Sequence, residues 1–171
     1  MERYVEALSR EISNVRDESR TLSVDTVYFG GGTPSLLEPQ QAEKIISSVN
    51  SVFSVANDPE ITMEMNPATV TAETLAAYRR LGINRASFGV QTFNDRDLRL
   101  LARGHDANDA RETYRMLRQA GFENVSFDLI AGLPGQTMDD WRRNLDEAVA
   151  MEPEHLSLYL LEIHEGTPLA E

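Results

Sequence analysis

The chain alternates between two hydrophobic patterns. In one, apolar residues recur every three or four positions, which is typical of amphipathic helices. In the other, short apolar runs end in glycine, proline or polar residues, which is typical of strands buried in a parallel sheet. The pattern predicts helices over residues 1–20, 38–53, 71–81, 95–101, 108–120 and 137–152, strands over 24–29, 60–65, 84–90, 124–130 and 155–161, and turns at 57–59 and 165–169.

The alternation of helix and strand predicts an α/β protein with a parallel sheet covered by helices and right-handed crossovers. Two architectures fit this order, a doubly wound sheet and part of a β/α barrel. Both place ligands at the carboxyl ends of the strands. The 171 residues contain no linker or low-complexity tract, so we expect one domain over 1–171.

Composition narrows the classes of function. A net charge of -12 disfavours binding to nucleic acid or anionic membranes, which are recognised by clusters of Lys and Arg. No apolar run approaches the length of a membrane span, and the first residues lack the apolar core of a signal peptide, so we expect a cytoplasmic protein. The lack of cysteine excludes disulfides, thiol nucleophiles and thiolate metal ligands within this sequence.

The first predicted strand runs directly into Gly30, Gly31, Gly32, Thr33 and Pro34. Glycine lets a ligand contact bare backbone, and Pro34 ends the strand. A dinucleotide-binding loop or a P-loop fits poorly, because neither the G-x-G-x-x-G spacing nor a following Gly-Lys-Ser/Thr is present. A small-molecule site and a plain glycine-rich turn both remain open from this stretch alone.

Polar residues also lie at the ends of the other predicted strands. A single buried acid is most simply interpreted as paired with a structural partner within the fold. Glu64, Gln91 and Asp128 lie at successive strand ends, and together they favour a polar ligand with hydroxyl and amino groups. Arg103 is weaker evidence, because an arginine in a loop is usually solvated.

The remaining candidates for chemistry point to structural roles. His105 and His164 have no partner spacing that suggests a metal or acid–base site, and we interpret both as structural or surface residues. The helix predicted over 137–152 is expected to carry Trp141, Leu145, Ala148 and Val149 on its apolar face, with Trp141 in a packing role. We therefore predict no metal site and assign no catalytic residue.

Five motifs carry a family resemblance. They are residues 29–37 (FGGGTPSLL), 64–67 (EMNP), 85–91 (RASFGVQ), 103–105 (RGH) and 128–137 (DLIAGLPGQT). In this order they resemble radical S-adenosylmethionine (SAM) proteins of the oxygen-independent coproporphyrinogen III oxidase family. The last motif, the tryptophan after it and residues 157–169 are most similar to the heme chaperone branch of that family.

The resemblance implies a partial β/α barrel that binds SAM. The positions that match the family's SAM-binding residues are Gly31, Gly32 and Thr33 at the methionine end, Glu64 and Arg103 near its amino and carboxylate groups, and Gln91 and Asp128 near the ribose. These types suit the ligand, since an ammonium prefers a carboxylate, a carboxylate prefers a guanidinium, and a diol prefers acceptors.

The resemblance also implies a role in porphyrin or heme metabolism. In an intact oxidase, a reduced 4Fe–4S cluster cleaves SAM to a deoxyadenosyl radical that abstracts hydrogen from a propionate side chain, whereas the chaperone branch binds and delivers heme. A non-catalytic module that binds an adenosyl ligand or heme is an alternative. A phosphosugar-type barrel is a third, with Gly166 and Thr167 as a faint candidate for its phosphate site.

One departure from the family is large. The family carries a Cys-x-x-x-Cys-x-x-Cys loop after its first barrel strand, and this sequence has neither cysteine nor that strand. We therefore expect this sequence to be an internal segment of a longer protein. We also expect it to lack the C-terminal region of the family. Without a preceding strand, residues 24–29 are expected to form an unpaired edge, which favours self-association.

The first testable prediction is that this chain holds no iron–sulfur cluster, because cluster ligation requires thiolates or rare substitutes, and this sequence has no cysteine. After anaerobic reconstitution, iron and sulfide analysis should find neither element above background. Stoichiometric iron and sulfide with broad visible absorbance would contradict the prediction.

Overall fold

A computed structural model of the chain describes residues 1–15, 23–167 and 169. It contains helices α1 (Glu2–Ser13), α2 (Pro39–Val52), α3 (Ala72–Arg80), α4 (Asp95–Leu100), α5 (Ala107–Gln119) and α6 (Met138–Ala150). The strands are β1 (Ser23–Phe29), β2 (Ser54–Met65), β3 (Arg85–Gln91), β4 (Asn124–Ala131) and β5 (His155–Leu160). A short 3-10 turn, Pro34–Leu36, follows β1.

The five strands form one parallel sheet in the order β1-β2-β3-β4-β5. A doubly wound sheet would reverse the direction of its strand order at a switch point, and this sheet does not. The sheet curls into a half-barrel with helices outside. The predicted partial β/α barrel is therefore confirmed.

The two faces of the sheet differ sharply in polarity. Successive side chains of a strand point to opposite faces, and neighbours in register share a face. The face under the helices is apolar and carries the buried Met63, Phe88, Phe127 and Leu129 among others. The inner face is polar; its members include Tyr28, Thr62, Glu64, Arg85, Ser87, Ser126, Asp128 and Ser157.

Helices α3 and α6 begin at capping threonines, which are the first residues of their predicted ranges. The Thr71 hydroxyl accepts a hydrogen bond from the N–H of Thr74 at 3.2 Å and begins α3. Gly82 follows that helix with a φ of 90°, a left-handed conformation that glycine adopts without a steric penalty. At α6, Thr137 and Asp140 form a capping box, and the hydrogen bonds from Thr137 lower the pKa of Asp140 to about 2.

Strand β2 corrects the predicted turn at residues 57–59. The strand begins at Ser54, not at residue 60, and the Asn-Asp-Pro segment forms an irregularity within it. Between the pairs Val24–Val55 and Thr26–Glu60, β2 advances five residues while β1 advances two. The side chain of Asn84 supports this bulge, since it accepts from the N–H of Ile61 and donates to the carbonyl of Pro59.

Two helix predictions also need correction. Helix α1 ends at Ser13, whereas the prediction continued it to residue 20. Val15 follows the helix and is exposed, and residues 16–20 of the predicted helix fall outside the described residues. Val149 was expected on the apolar face of α6, but it is exposed, whereas Ala148 is buried. Consecutive residues on a helix differ by about 100° in direction, so both cannot face the sheet.

Helix α1 packs against α2 with Val5 fully buried, beside the outer face of β1. Between them runs an apolar groove of about 550 Å³, here called the N-terminal groove, whose lining includes Met1, Tyr4, Leu8, Val27 and Phe29. Among the described residues, β1 pairs with β2 alone. No helix in the described part of the chain is long and apolar enough to span a membrane.

The open edge of β1 leads to the second prediction. An unpaired strand favours pairing with another chain, so the mass measured by light scattering should rise with protein concentration unless α1 covers the edge. Val24→Lys should reduce this association, whereas the control Val149→Lys, on the exposed side of α6, should not. A stable monomer at high concentration, with rapid hydrogen exchange along β1, would contradict both self-association and coverage by α1.

Candidate functional site

The glycine loop after β1 meets the end of β2 through Glu64. The N–H of Gly31 donates to Oε2 of Glu64 at 3.0 Å, and the hydroxyl of Tyr28 donates to Oε1 at 2.8 Å. Gly31 has a φ of 110°, a conformation that favours glycine. A Cβ added at Gly31 or Gly32 would meet no atom within 4 Å, so this backbone faces open space.

A second chain of hydrogen bonds joins the same loop to Arg103. The amide of Asn66 donates to Oγ1 of Thr33 at 2.9 Å, and Nη2 of Arg103 donates to Oδ1 of Asn66 at 2.6 Å. The same guanidinium nitrogen lies 3.4 Å from the carbonyl oxygen of Gly89. Arg103 is half-buried by these contacts, which lowers its pKa, so it is not the fully solvated loop residue that its sequence position suggested.

Gln91 reaches this cluster from the end of β3. The register between β3 and β4 shifts after Phe88, and Gln91 has a φ of 67°, an uncommon value for a residue with a side chain. A Cβ at Gly89 would lie 3.0 Å from Nε2 of Gln91 and 3.2 Å from Nη2 of Arg103. Gly89 therefore leaves room for the two side chains to converge.

Asp128 lies on the inner face of β4. The register places Glu64 beside Ser87 and Ser87 beside Ser126, so Asp128, two residues further on, shares the face of Glu64. Asp128 and Gln91 line one cavity of about 380 Å³, which Tyr159 and Glu162 also line.

The pKa of Asp128 is raised, first by burial and then by repulsion from the Glu64 carboxylate. The hydroxyl of Ser157 and the charges of Arg85 and His155 act in the opposite direction. The carboxylates of Glu64 and Asp128 and the guanidinium of Arg103 thus lie at the same end of the half-barrel. Such a site can hold a zwitterionic ligand together with a hydroxyl-bearing group.

The seven candidate residues therefore gather at the carboxyl ends of β1 to β4, although they are not all in mutual contact. Glu64 contacts Gly31 directly, Thr33 reaches Arg103 through Asn66, and Gln91 links the Arg103 cluster to the cavity of Asp128. Gly32 lies between Gly31 and Thr33 in the loop, and a Cβ added there would border open space.

Three further residues belong to this site, although no role was predicted for them from the sequence: Asn66, Tyr28 and Gly89. Asn66 directly follows β2 within the motif at 64–67, but its bridging contacts depend on the path of the loop that carries Arg103. Tyr28 could have been found, because it alternates with the outward Val27 and Phe29 and must face inward. Gly89 was noted only as part of a motif.

The two histidines that were set aside lie in structural or surface positions. His105 is buried with Nε2 3.4 Å from the carbonyl oxygen of Val90, and burial lowers its pKa. His164 is exposed, with Nε2 3.8 Å from a carboxylate oxygen of Glu162. Among the described residues, no group of three or more His, Cys, Asp or Glu side chains could hold a metal ion.

Comparison with known proteins identifies the family. The sequence model of the Radical SAM superfamily matches residues 2–148. The chain belongs to the radical SAM superfamily. It is 43% identical over 164 residues to the heme chaperone HemW of Synechocystis sp., and 36% identical over 168 residues to HemW of Bacillus subtilis.

These matches cover nearly all of this chain but only part of each relative. They span 96% of the chain and 39% of the Synechocystis protein, and 98% of the chain and 44% of the Bacillus protein. Among solved structures, the coproporphyrinogen III oxidase HemN of Escherichia coli, described as a radical SAM enzyme, superposes with a TM-score of 0.87 at 30% identity, over 94% of this chain and 37% of that one. The chain thus spans about two fifths of these relatives.

Proposed function

We propose that this chain forms the SAM-binding core of a radical SAM protein of the heme chaperone and coproporphyrinogen oxidase type. The observation that carries the proposal is that hydrogen bonds join Glu64, and Arg103 through Asn66, to an open glycine loop, with Asp128 on the same inner face of the sheet. The relatives that match most of the chain support a role in heme or porphyrin metabolism, with heme or a porphyrin as the partner.

Each part of SAM has a suitable group in this arrangement. The Glu64 carboxylate suits the ammonium, and the Arg103 guanidinium suits the carboxylate of the methionine end. Gln91 and Asp128 supply acceptors for the two ribose hydroxyls beside a shared cavity. The bare backbone at Gly31 and Gly32, followed by Thr33, leaves space for the methionine chain. Selectivity in this proposal comes from a carboxylate bonded to Gly31 and a guanidinium joined to Thr33 through Asn66.

The iron–sulfur cluster of the superfamily does not fit the donor set of this sequence. The 171 residues contain no cysteine, and among the described residues no other cluster of ligating side chains is present. We therefore assign these residues to ligand binding only and derive no radical step from them. The cytoplasmic location expected from the sequence remains part of the proposal.

The second candidate function is a non-catalytic module that binds an adenosyl ligand or heme. The lack of cysteine in these 171 residues is the observation in its favour, whereas membership of the superfamily favours radical chemistry in the whole protein. The coding sequence upstream of Met1 distinguishes the two. A Cys-x-x-x-Cys-x-x-Cys segment there would support the radical SAM proposal, and an in-frame start without one would support the module.

The third prediction tests SAM binding by calorimetric titration. Asp128→Asn keeps the shape of the side chain but removes its charge, so SAM should bind more weakly by about 1.5–3 kcal/mol. The matched control is Asp58→Asn, an exposed acid in the β2 bulge at the opposite end of the sheet, and it should bind SAM as the unmodified chain does. Equal affinities for both variants, or no binding by the unmodified chain, would contradict the proposal.

Gly32→Val is a second variant for the same titration. The position has open space around its Cβ and does not need a left-handed backbone, so the folded chain should accept the side chain. The valine would instead occupy the space assigned to the methionine end of SAM. We expect an unchanged melting temperature and a loss of measurable binding, and unchanged binding would place the ligand elsewhere.

A further inference from the structure

Tyr28 holds one oxygen of the Glu64 carboxylate. Its hydroxyl donates to Oε1 at 2.8 Å, while the N–H of Gly31 donates to Oε2 at 3.0 Å. One donor comes from a side chain and the other from backbone, so each oxygen has its own partner. The carboxylate cannot rotate without breaking one of the two hydrogen bonds.

Gly30, the first glycine of the loop, makes room for the contact between Tyr28 and Glu64. A Cβ added at Gly30 would lie 2.9 Å from Cε1 of Tyr28 and 3.4 Å from Oε1 of Glu64. The tyrosine ring therefore crosses the strand end in the space that a side chain at residue 30 would fill. Gly31 and Gly32 differ, because nothing lies within 4 Å of a Cβ at either position.

We infer that Tyr28 is a positioning residue that orients the Glu64 carboxylate toward the ammonium group of the ligand. The inference rests on the proposed function, which assigns Glu64 to that ammonium. An ionised carboxylate offers about four lone-pair sites. Tyr28 and Gly31 occupy one on each oxygen, so one on each oxygen remains for the ligand.

The advantage of this arrangement is preorganisation. A carboxylate that is already fixed loses little side-chain freedom when the ligand binds, so less of the interaction energy is lost to ordering. Tyr28 is 57% exposed, and limited desolvation together with the neighbouring Glu64 raises its pKa above the ordinary value. The hydroxyl therefore keeps its proton, and acts as a donor to Glu64, throughout the neutral range. If Tyr28 only stabilised the end of β1, its removal would affect every ligand alike and would not depend on Glu64.

The fourth prediction compares the unmodified chain, Tyr28→Phe, Glu64→Gln and the double variant by calorimetric titration. Two ligands are used: SAM, and methylthioadenosine, which lacks the amino acid end. Tyr28→Phe should weaken SAM binding roughly tenfold, or about 1.4 kcal/mol. It should cause no further loss in the Glu64→Gln background and leave methylthioadenosine binding unchanged. Tyr4→Phe, in the exposed first turn of α1, is the control and should change neither ligand.

Other outcomes overturn separate parts of the account. If Tyr28→Phe weakens SAM equally in both backgrounds, or weakens methylthioadenosine to the same extent, the residue acts on the fold and the inference is wrong. Thermal unfolding of each variant accompanies the titrations, so that a binding loss caused by unfolding is recognised as that structural role. If the unmodified chain binds neither ligand, the proposed function itself fails, a result distinct from binding without coupling between Tyr28 and Glu64.

Discussion

The structure depends on the requirement that each strand bury one face under helices while its other face lines the half-barrel. The outward residues of the sheet are large and apolar, and they form the core with the helices. Burial of such side chains removes apolar surface from water and stabilises the fold. The inward side chains do not have to pack against helices. The inward positions carry Thr, Ser, Tyr, Arg and carboxylate residues, so the polar and ionisable side chains of the sheet are concentrated on its inner face.

The site follows from this division and from the parallel direction of the strands. Parallel strands bring their carboxyl ends to one edge, so residues far apart in sequence meet there. Glu64 joins the glycine loop, and Asn66 joins that loop to Arg103. Repulsion between Glu64 and Asp128 contributes to the raised pKa of Asp128. In the proposed arrangement, a ligand ammonium at Glu64 would weaken that repulsion.

Much of this could be predicted from the sequence, because hydrophobic periodicity and capping residues report on local structure. The strands β1, β3, β4 and β5 lie within a residue or two of their predicted positions, and α3 and α6 begin after Thr71 and Thr137, the first residues of their predicted ranges. The start of β2 was missed, since Asn-Asp-Pro is a turn signal and only pairing with β1 extends the strand across it. The strand ends that form the site were predictable, but the hydrogen bonds of Tyr28 and Asn66 depend on register and loop path.

The most direct test of SAM binding at the strand ends is a map of the binding surface by amide NMR. The backbone amides of an isotope-labelled chain would be followed as SAM is added. The account predicts that the largest shifts fall at Gly31, Gly32, Gln91 and the end of β4, while the outer surfaces of the helices stay unchanged. Shifts concentrated in the N-terminal groove, or the absence of any shift at saturating SAM, would contradict it.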